Sequence, residues 1–244
     1  KLSYLMGVQE FKKIPAADLP AELFDLDILD GSPPCSSFST AGSREKKWGT
    51  NAKFREGQAK QVLDDLFFHF IDIAAKLKPK VVVAENVKGL IQGKAKGYVK
   101  EIFAAFTAAG YDAQLFLLNA AAMGVPQARE RTFFVARRKD LRLKPIGLSF
   151  AEKPITVADA VKDLPAWGGK VFRLTPETEA LWRKIKPGDG LNKAHARGSR
   201  FGEIKINPNG PSNCQTSQPG ASLHWSEPRR LNPPEVVRIQ TFPD

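Results

Sequence analysis

From residue 61 to 77 the apolar side chains Val62, Leu63, Leu66, Phe67, Phe70, Ile73, Ala74 and Leu77 recur at the three- and four-residue spacing of one helix face, and Pro79 closes the run. Val81, Val82, Val83 and Ala84 follow without a polar break, the pattern of a buried strand. The alternation then repeats, with a helix expected near 98–109, a terminating Gly110, and strands at 111–118 and 132–136. Ahead of the first helix, residues 24–29 read as a strand that runs into the turn Gly31-Ser32-Pro33-Pro34. Strands alternating with helical stretches predict an α/β fold, a mostly parallel sheet flanked by helices. His69, inside the first helix, is expected at its surface or at the edge of the core rather than as a ligand.

After about residue 140 the periodicity fades and Pro and Gly become frequent. A short helix is expected near 157–164. Asn232, Pro233 and Glu235 read as an N-cap, a first-turn proline and a third-position glutamate, opening a helix through Ile239. The expected organisation is therefore a catalytic α/β domain over 1–164, a small loop-rich region over 165–224, and a segment over 225–244 that returns to the first domain.

Composition narrows the partners. The 244 residues carry 37 Lys and Arg against 26 Asp and Glu, a formal charge of +11, which suits a polyanion. With 42% apolar residues the chain reads as globular. No apolar run approaches the length of a spanning helix and nothing near residue 1 resembles a signal peptide, so a cytoplasmic location away from membranes is expected. Cys35 and Cys214 are too far apart in sequence for a zinc spacing or a disulfide framework, and reduced thiols and no metal are expected.

The chemistry-bearing positions fall in four blocks. Residues 30–39 place Cys35 after two prolines at a strand end, as a nucleophile or as a packed loop residue. The strand beginning at Val81 delivers Glu85 and Asn86 to the same carboxyl edge, where open α/β sheets bind ligands. Gln127, Arg129 and Arg131 form a third block, and Arg238, Gln240, Phe242 and Pro243 a fourth. In this order the blocks resemble the motifs of the cytosine-C5 DNA methyltransferases, over residues 26–244. A phosphate-binding P-loop is excluded, because no Gly-x-x-x-x-Gly-Lys-Ser/Thr run occurs.

Carbon 5 of cytosine is too weak a nucleophile to take a methyl group until a thiolate adds at carbon 6, and the negative charge that then builds on the ring is relieved by a carboxyl group at N3. The resemblance implies Cys35 as that nucleophile, Glu85 as the carboxyl group, and Arg129 and Arg131 as contacts to base and phosphate, Arg131 being the one at the base. Ion pairs of both arginines with Glu130 and neighbouring residues are the alternative. Asn86 is expected to orient the Cys35 segment. The resemblance further implies a Rossmann-like domain, S-adenosyl-L-methionine as methyl donor, a cytosine flipped out of double-stranded DNA, and a restriction-modification or phage setting with a cognate restriction endonuclease that acts separately; the protein itself is expected to be a monomer. Residues 41–60, with Arg44, Lys46, Lys47, Lys53 and Arg55, would close over DNA, and 165–224 would recognise the target, with Arg173, Arg183, Lys184, Lys186, Lys193, Arg197, Arg200 and Lys205 available for phosphates and base edges. Pro34 and Leu66 match positions that line the donor pocket. The family's Phe-x-Gly-x-Gly turn and acidic ribose-binding residue have no counterpart in these residues, so the amino-terminal part of the donor site is expected to be missing. A tRNA cytosine methyltransferase and a catalytically silent DNA-binding module are the alternative functions.

Overall fold

The structure, a computed structural model, describes residues 3–33, 51–52, 61–62, 65–92, 96–200, 202–215 and 221–243. Two compact units emerge, one of Lys1–Leu118 with Glu130–Leu148 and one of Asn119–Arg129 with Ser149–Asp244.

In the first unit, a short helix α1 (Val8–Phe11) precedes strand β1 (Ile28–Gly31), and a two-residue ladder joins β2 (Asn51–Ala52) to β3 (Gln61–Val62). Helix α2 (Leu66–Leu77), strand β4 (Val81–Val87), helix α3 (Lys96–Ala108) and strand β5 (Tyr111–Asn119) follow. The second unit contributes β6 (Gln127–Ala128) before the chain re-enters the first as β7 (Glu130–Arg138). The sheet order is β1-β4-β7-β5. β1 runs parallel to β4, but β7 runs antiparallel to it, with Val82 opposite Ala136 and Ala84 opposite Phe134. The α/β class holds, and the sheet is mixed rather than mostly parallel. The physical reason lies in the connection: only residues 120–129, with one 3-10 turn at Ala120–Met123, separate β5 from β7, too little chain for the helical crossover that a parallel neighbour requires.

Alternation along β4 buries Val82, Ala84 and Asn86 and leaves Val81, Val83, Glu85 and Val87 less covered. The buried face meets Phe67, Phe70, Ile71 and Ala74 of α2 and Ile102 and Phe106 of α3. Phe134 of β7 sits edge-on to Phe67 at 5.4 Å and to Phe103 at 5.6 Å, a favoured aromatic geometry. The buried Tyr111 hydroxyl donates to the Pro79 carbonyl at 2.8 Å, and burial pushes its pKa up to about 12. Gly31 is required where β1 meets α2, since a Cβ there would lie 2.5 Å from the Phe70 ring.

Several boundaries differ from the sequence reading. The first helix begins at Leu66, because Gln61 and Val62 pair with Ala52 and Asn51. It ends at a left-handed Lys78 (φ 53°), whose amide donates to Ala74 before Pro79 can clash with another turn. β1 starts at Ile28, since residues Ala21–Phe24 after Pro20 wind into a 3-10 turn. His69 is half-buried on α2, with Nδ1 3.1 Å from the Lys12 ammonium.

The second unit holds α4 (Val157–Val161), α5 (Pro176–Lys184), β8 (Ile204–Lys205), β9 (Ser212–Asn213), β10 (Ser222–Leu223) and α6 (Pro233–Ile239). The compact division falls at 148/149 rather than at 164, because α4 packs with α6 through Val157 and Ile239 and Asp163 takes the Arg238 guanidinium at 2.9 Å. Helix α5 lies where loops were expected. Thr175 caps it by accepting from the Thr178 amide, Pro176 opens it, and Trp182 joins Leu174, Ile185, Leu191 and Leu223 in a small core. Lys205 is buried there, its ammonium 3.8 Å over the Trp182 ring and bonded to the Trp182 and Ile185 carbonyls. It is thereby removed from the cations expected at the surface. No described helix is long and apolar enough to cross a membrane, and no described group of His, Cys, Asp and Glu could hold a metal.

Candidate active site

Glu85 and Arg131 meet because of the β4/β7 register. Glu85 lies opposite Phe133, and Arg131 lies opposite Val87 two residues along, so the two side chains leave the same face as diagonal neighbours. Arg131 Nε lies 2.8 Å from Glu85 Oε1, and Arg131 Nη1 donates to the Glu130 carbonyl at 2.8 Å. Both side chains are partly buried, 29% and 21% exposed, so the pair is accessible to a substrate yet less screened than one on the open surface.

Glu130 does not pair with either neighbouring arginine. Its carboxylate takes Lys88 at 2.7 Å, at the start of the 3-10 turn Lys88–Ile91 that follows β4. That arrangement leaves the Arg131 Nε to Glu85. Arg129, two residues away in sequence, belongs to the other unit, where it is exposed and its Nη1 lies 3.4 Å from Cys214 Sγ. The two arginines of the block therefore have different partners: Arg131 is joined to Glu85, and Arg129 is not.

Asn86 points to the opposite, buried side of β4 and is 3% exposed. Its Nδ2 donates to the Pro33 carbonyl at 3.1 Å, and its Oδ1 accepts from the Val87 amide at 2.8 Å. The residue it holds, Pro33, stands two before Cys35 in the chain. Cys35 and Pro34 lie outside the described residues, as do Arg44, Lys46, Lys47, Lys53 and Arg55.

Ser32 and Lys88 are the site residues that the sequence reading did not single out. Parallel pairing of Gly31 with Ala84 carries Ser32 alongside Glu85, and the Ser32 hydroxyl donates to Glu85 Oε2. The available signal was Ser32's position three residues before Cys35, which says nothing about β4 until the strands are paired. Of the two positions matched to the methyl donor, Leu66 is described: it is 8% exposed at the first turn of α2. Among the expected recognition cations, Arg183, Lys193 and Arg200 pair with Glu179, Asp189 and Glu203, while Arg173, Lys184, Lys186 and Arg197 are exposed.

Comparison with known proteins bears on this arrangement. A family model described as C-5 cytosine-specific DNA methylase matches residues 7–244. The Type II methyltransferase M.NgoPII of Neisseria gonorrhoeae is 30% identical over 270 aligned positions, covering 96% of this chain and 71% of its own length. M.BspRI of Lysinibacillus sphaericus is 31% identical, and the chain spans 97% of itself but 53% of that relative. Among solved structures, a protein described as a DNA modification methyltransferase encoded within an E. coli prophage superposes with a TM-score of 0.66 at 20% identity, over 98% of this chain and 74% of that one. The S. pombe Dnmt2 methyltransferase gives 0.54 at 15% identity, over 96% and 71%. At such identities the two structures bear on the fold alone.

Proposed function

The chain belongs to the C-5 cytosine-specific DNA methylase family, and from that membership we propose that it transfers a methyl group to carbon 5 of a cytosine extruded from duplex DNA, with Cys35 adding covalently at carbon 6. The observation that carries the reading is the Glu85 carboxylate held by Arg131 and Ser32, on a strand whose next residue, Asn86, tethers the segment leading to Cys35. The names of the Type II relatives support a restriction-modification setting, in which a separate endonuclease reads the same sequence.

The chemistry follows from these side chains. The Cys35 thiolate forms a bond to carbon 6, and the electron pair displaced through the ring is stabilised as Glu85 delivers a proton to N3. Arg131 can hold the cytosine O2 or its phosphate and balance the Glu85 charge once the proton has passed to N3. Leu66 would pack against S-adenosylmethionine, which supplies an electrophilic methyl group when bound. Once carbon 5 carries the methyl group, its proton passes to solvent, the C5–H electron pair re-forms the C5–C6 double bond, the Cys35 sulfur leaves with the C6–S pair, and N3 returns its proton to Glu85, which restores the aromatic ring and frees the enzyme. The expected base flipping follows from the position of carbon 6 inside the stack.

The test is transfer of a labelled methyl group from S-adenosylmethionine to duplex DNA and, in parallel, to tRNA, using the full-length protein and its Cys35→Ala variant. DNA labelling that vanishes in Cys35→Ala while DNA binding persists is the expected result. Labelling confined to tRNA, or a Cys35→Ala protein that still methylates, refutes it.

A further inference from the structure

We propose that Ser32 is a positioning residue for Glu85, a role that rests on the catalytic reading of Glu85 given above. Two partners hold the carboxyl group, and they differ in kind. Arg131 takes Oε1 through Nε, and the Ser32 hydroxyl takes Oε2. A guanidinium only donates, so it matches the carboxylate and has nothing to offer the protonated acid on the same oxygen. A hydroxyl donates to the carboxylate and, after rotation, accepts from the carboxylic acid. Arg131 can therefore keep Oε1 in both states, but the oxygen that loads and releases the proton keeps a partner in both only if that partner is of the second kind. Ser32 is the described residue that supplies it.

Its placement is fixed from both sides. Gly31 is pressed on the Phe70 ring, where a side chain would not fit, and Pro33 is anchored through its carbonyl by the buried Asn86. Between these two points the backbone of residue 32 has little room to shift, and β1/β4 pairing sets it beside Glu85. The same short stretch, residues 31–33, leads directly to Cys35. A single hydroxyl thus ties the proton donor to the segment that delivers the nucleophile. Removing it should change how the carboxyl group is aimed, with little effect on the fold, since alanine occupies the same space less one oxygen.

The experiment compares steady-state DNA methylation by the full-length wild type, Ser32→Ala, Ser32→Thr, Glu85→Gln and the Ser32→Ala/Glu85→Gln double variant, each with a melting temperature. Ser32→Ala should lower kcat about tenfold, the worth of one hydrogen bond to a charged group, with KM for DNA unchanged. The pH profile of kcat should move, Ser32→Thr should recover most of the rate, and the melting temperature should hold. In the Glu85→Gln background the Ser32→Ala change should cost less than about twofold, because the group it aims is already gone. A full tenfold loss in that background, or wild-type kcat and pH profile in Ser32→Ala, overturns the inference alone. Wild-type turnover in Glu85→Gln overturns the catalytic reading of Glu85 and this inference with it.

Discussion

Replacing Asn86 by alanine tests how the nucleophile segment is held. The side chain is 3% exposed and makes two hydrogen bonds, to the Pro33 carbonyl at 3.1 Å and from the Val87 amide at 2.8 Å. Losing both, with partners left unpaired in a buried setting, should cost about 2–4 kcal/mol. For a chain of this size that corresponds to a fall in melting temperature of roughly 5–15 °C. Activity measured well below the new midpoint should still drop about tenfold or more, because Pro33 lies two residues before Cys35 and a positional loss near 1.4 kcal/mol is already a factor of ten. Asn86→Asp keeps an acceptor for the Val87 amide but turns a carboxylate oxygen toward the Pro33 carbonyl, so it should be at least as impaired. The assays are thermal unfolding by circular dichroism and initial rates of methyl transfer at 20 °C on the same preparations. A melting temperature equal to wild type with activity lost would assign Asn86 to the substrate; a lowered melting temperature with full activity would show that the Pro33 tether does not govern Cys35. Either result refutes the reasoning.

Other consequences can be measured independently. Arg131→Lys retains charge but cannot keep both the Glu85 carboxylate and the Glu130 carbonyl with one flat fork; kcat/KM should fall by about two powers of ten while stability changes by less than ~1 kcal/mol, since the charge beside Glu85 is kept, and an unchanged kcat/KM would remove Arg131 from the chemistry. His224 is buried against Trp225 at 3.9 Å, and burial, helped by the Arg229 charge, lowers its pKa to about 4. The unfolded chain, with a histidine near 6.5, then binds more protons, so the stability this residue contributes is present above pH 6.5 and is lost as pH falls from 6.5 toward 4. Melting curves at pH 7 and pH 5 for wild type and His224→Gln should show a smaller loss in the variant, and equal losses would exclude His224 as the source.

Much of the molecule was legible in one dimension. Helices α2, α3, α4 and α6 and strands β4, β5 and β7 follow from apolar spacing, from the Asn232-Pro233-Glu235 cap and from stops such as Gly110, all of which act over a few residues. Glu85 and Asn86 were expected together toward the end of one strand, and both lie in the last three residues of β4, because strand length and pattern fix where a run must finish. Helix α5 was equally local: Thr175 and Pro176 ahead of Glu177, with Arg183 and Lys184 in the last turn, carried the cap and dipole signals of a helix that the surrounding Gly and Pro obscured.

Strand direction was settled by the tertiary structure, and direction made the site. Had β7 run parallel to β4 from matching starts, Arg131 would lie opposite Val82, roughly 10 Å along the strand from Glu85 at about 3.3 Å per residue. Antiparallel pairing brings them to 2.8 Å. The same holds for Ser32 on Glu85, for Lys88 taking Glu130 so that neither arginine does, for Arg129 turning to Cys214, and for Lys205 over Trp182. Each joins residues far apart in the chain, and local periodicity holds no information about such partners. The sequence by itself determined most of the elements and placed Glu85 and Asn86 on one strand, because those depend on neighbours within a turn or two; which side chains touch depended on the register and direction of strands, which are chosen by packing of the whole sheet.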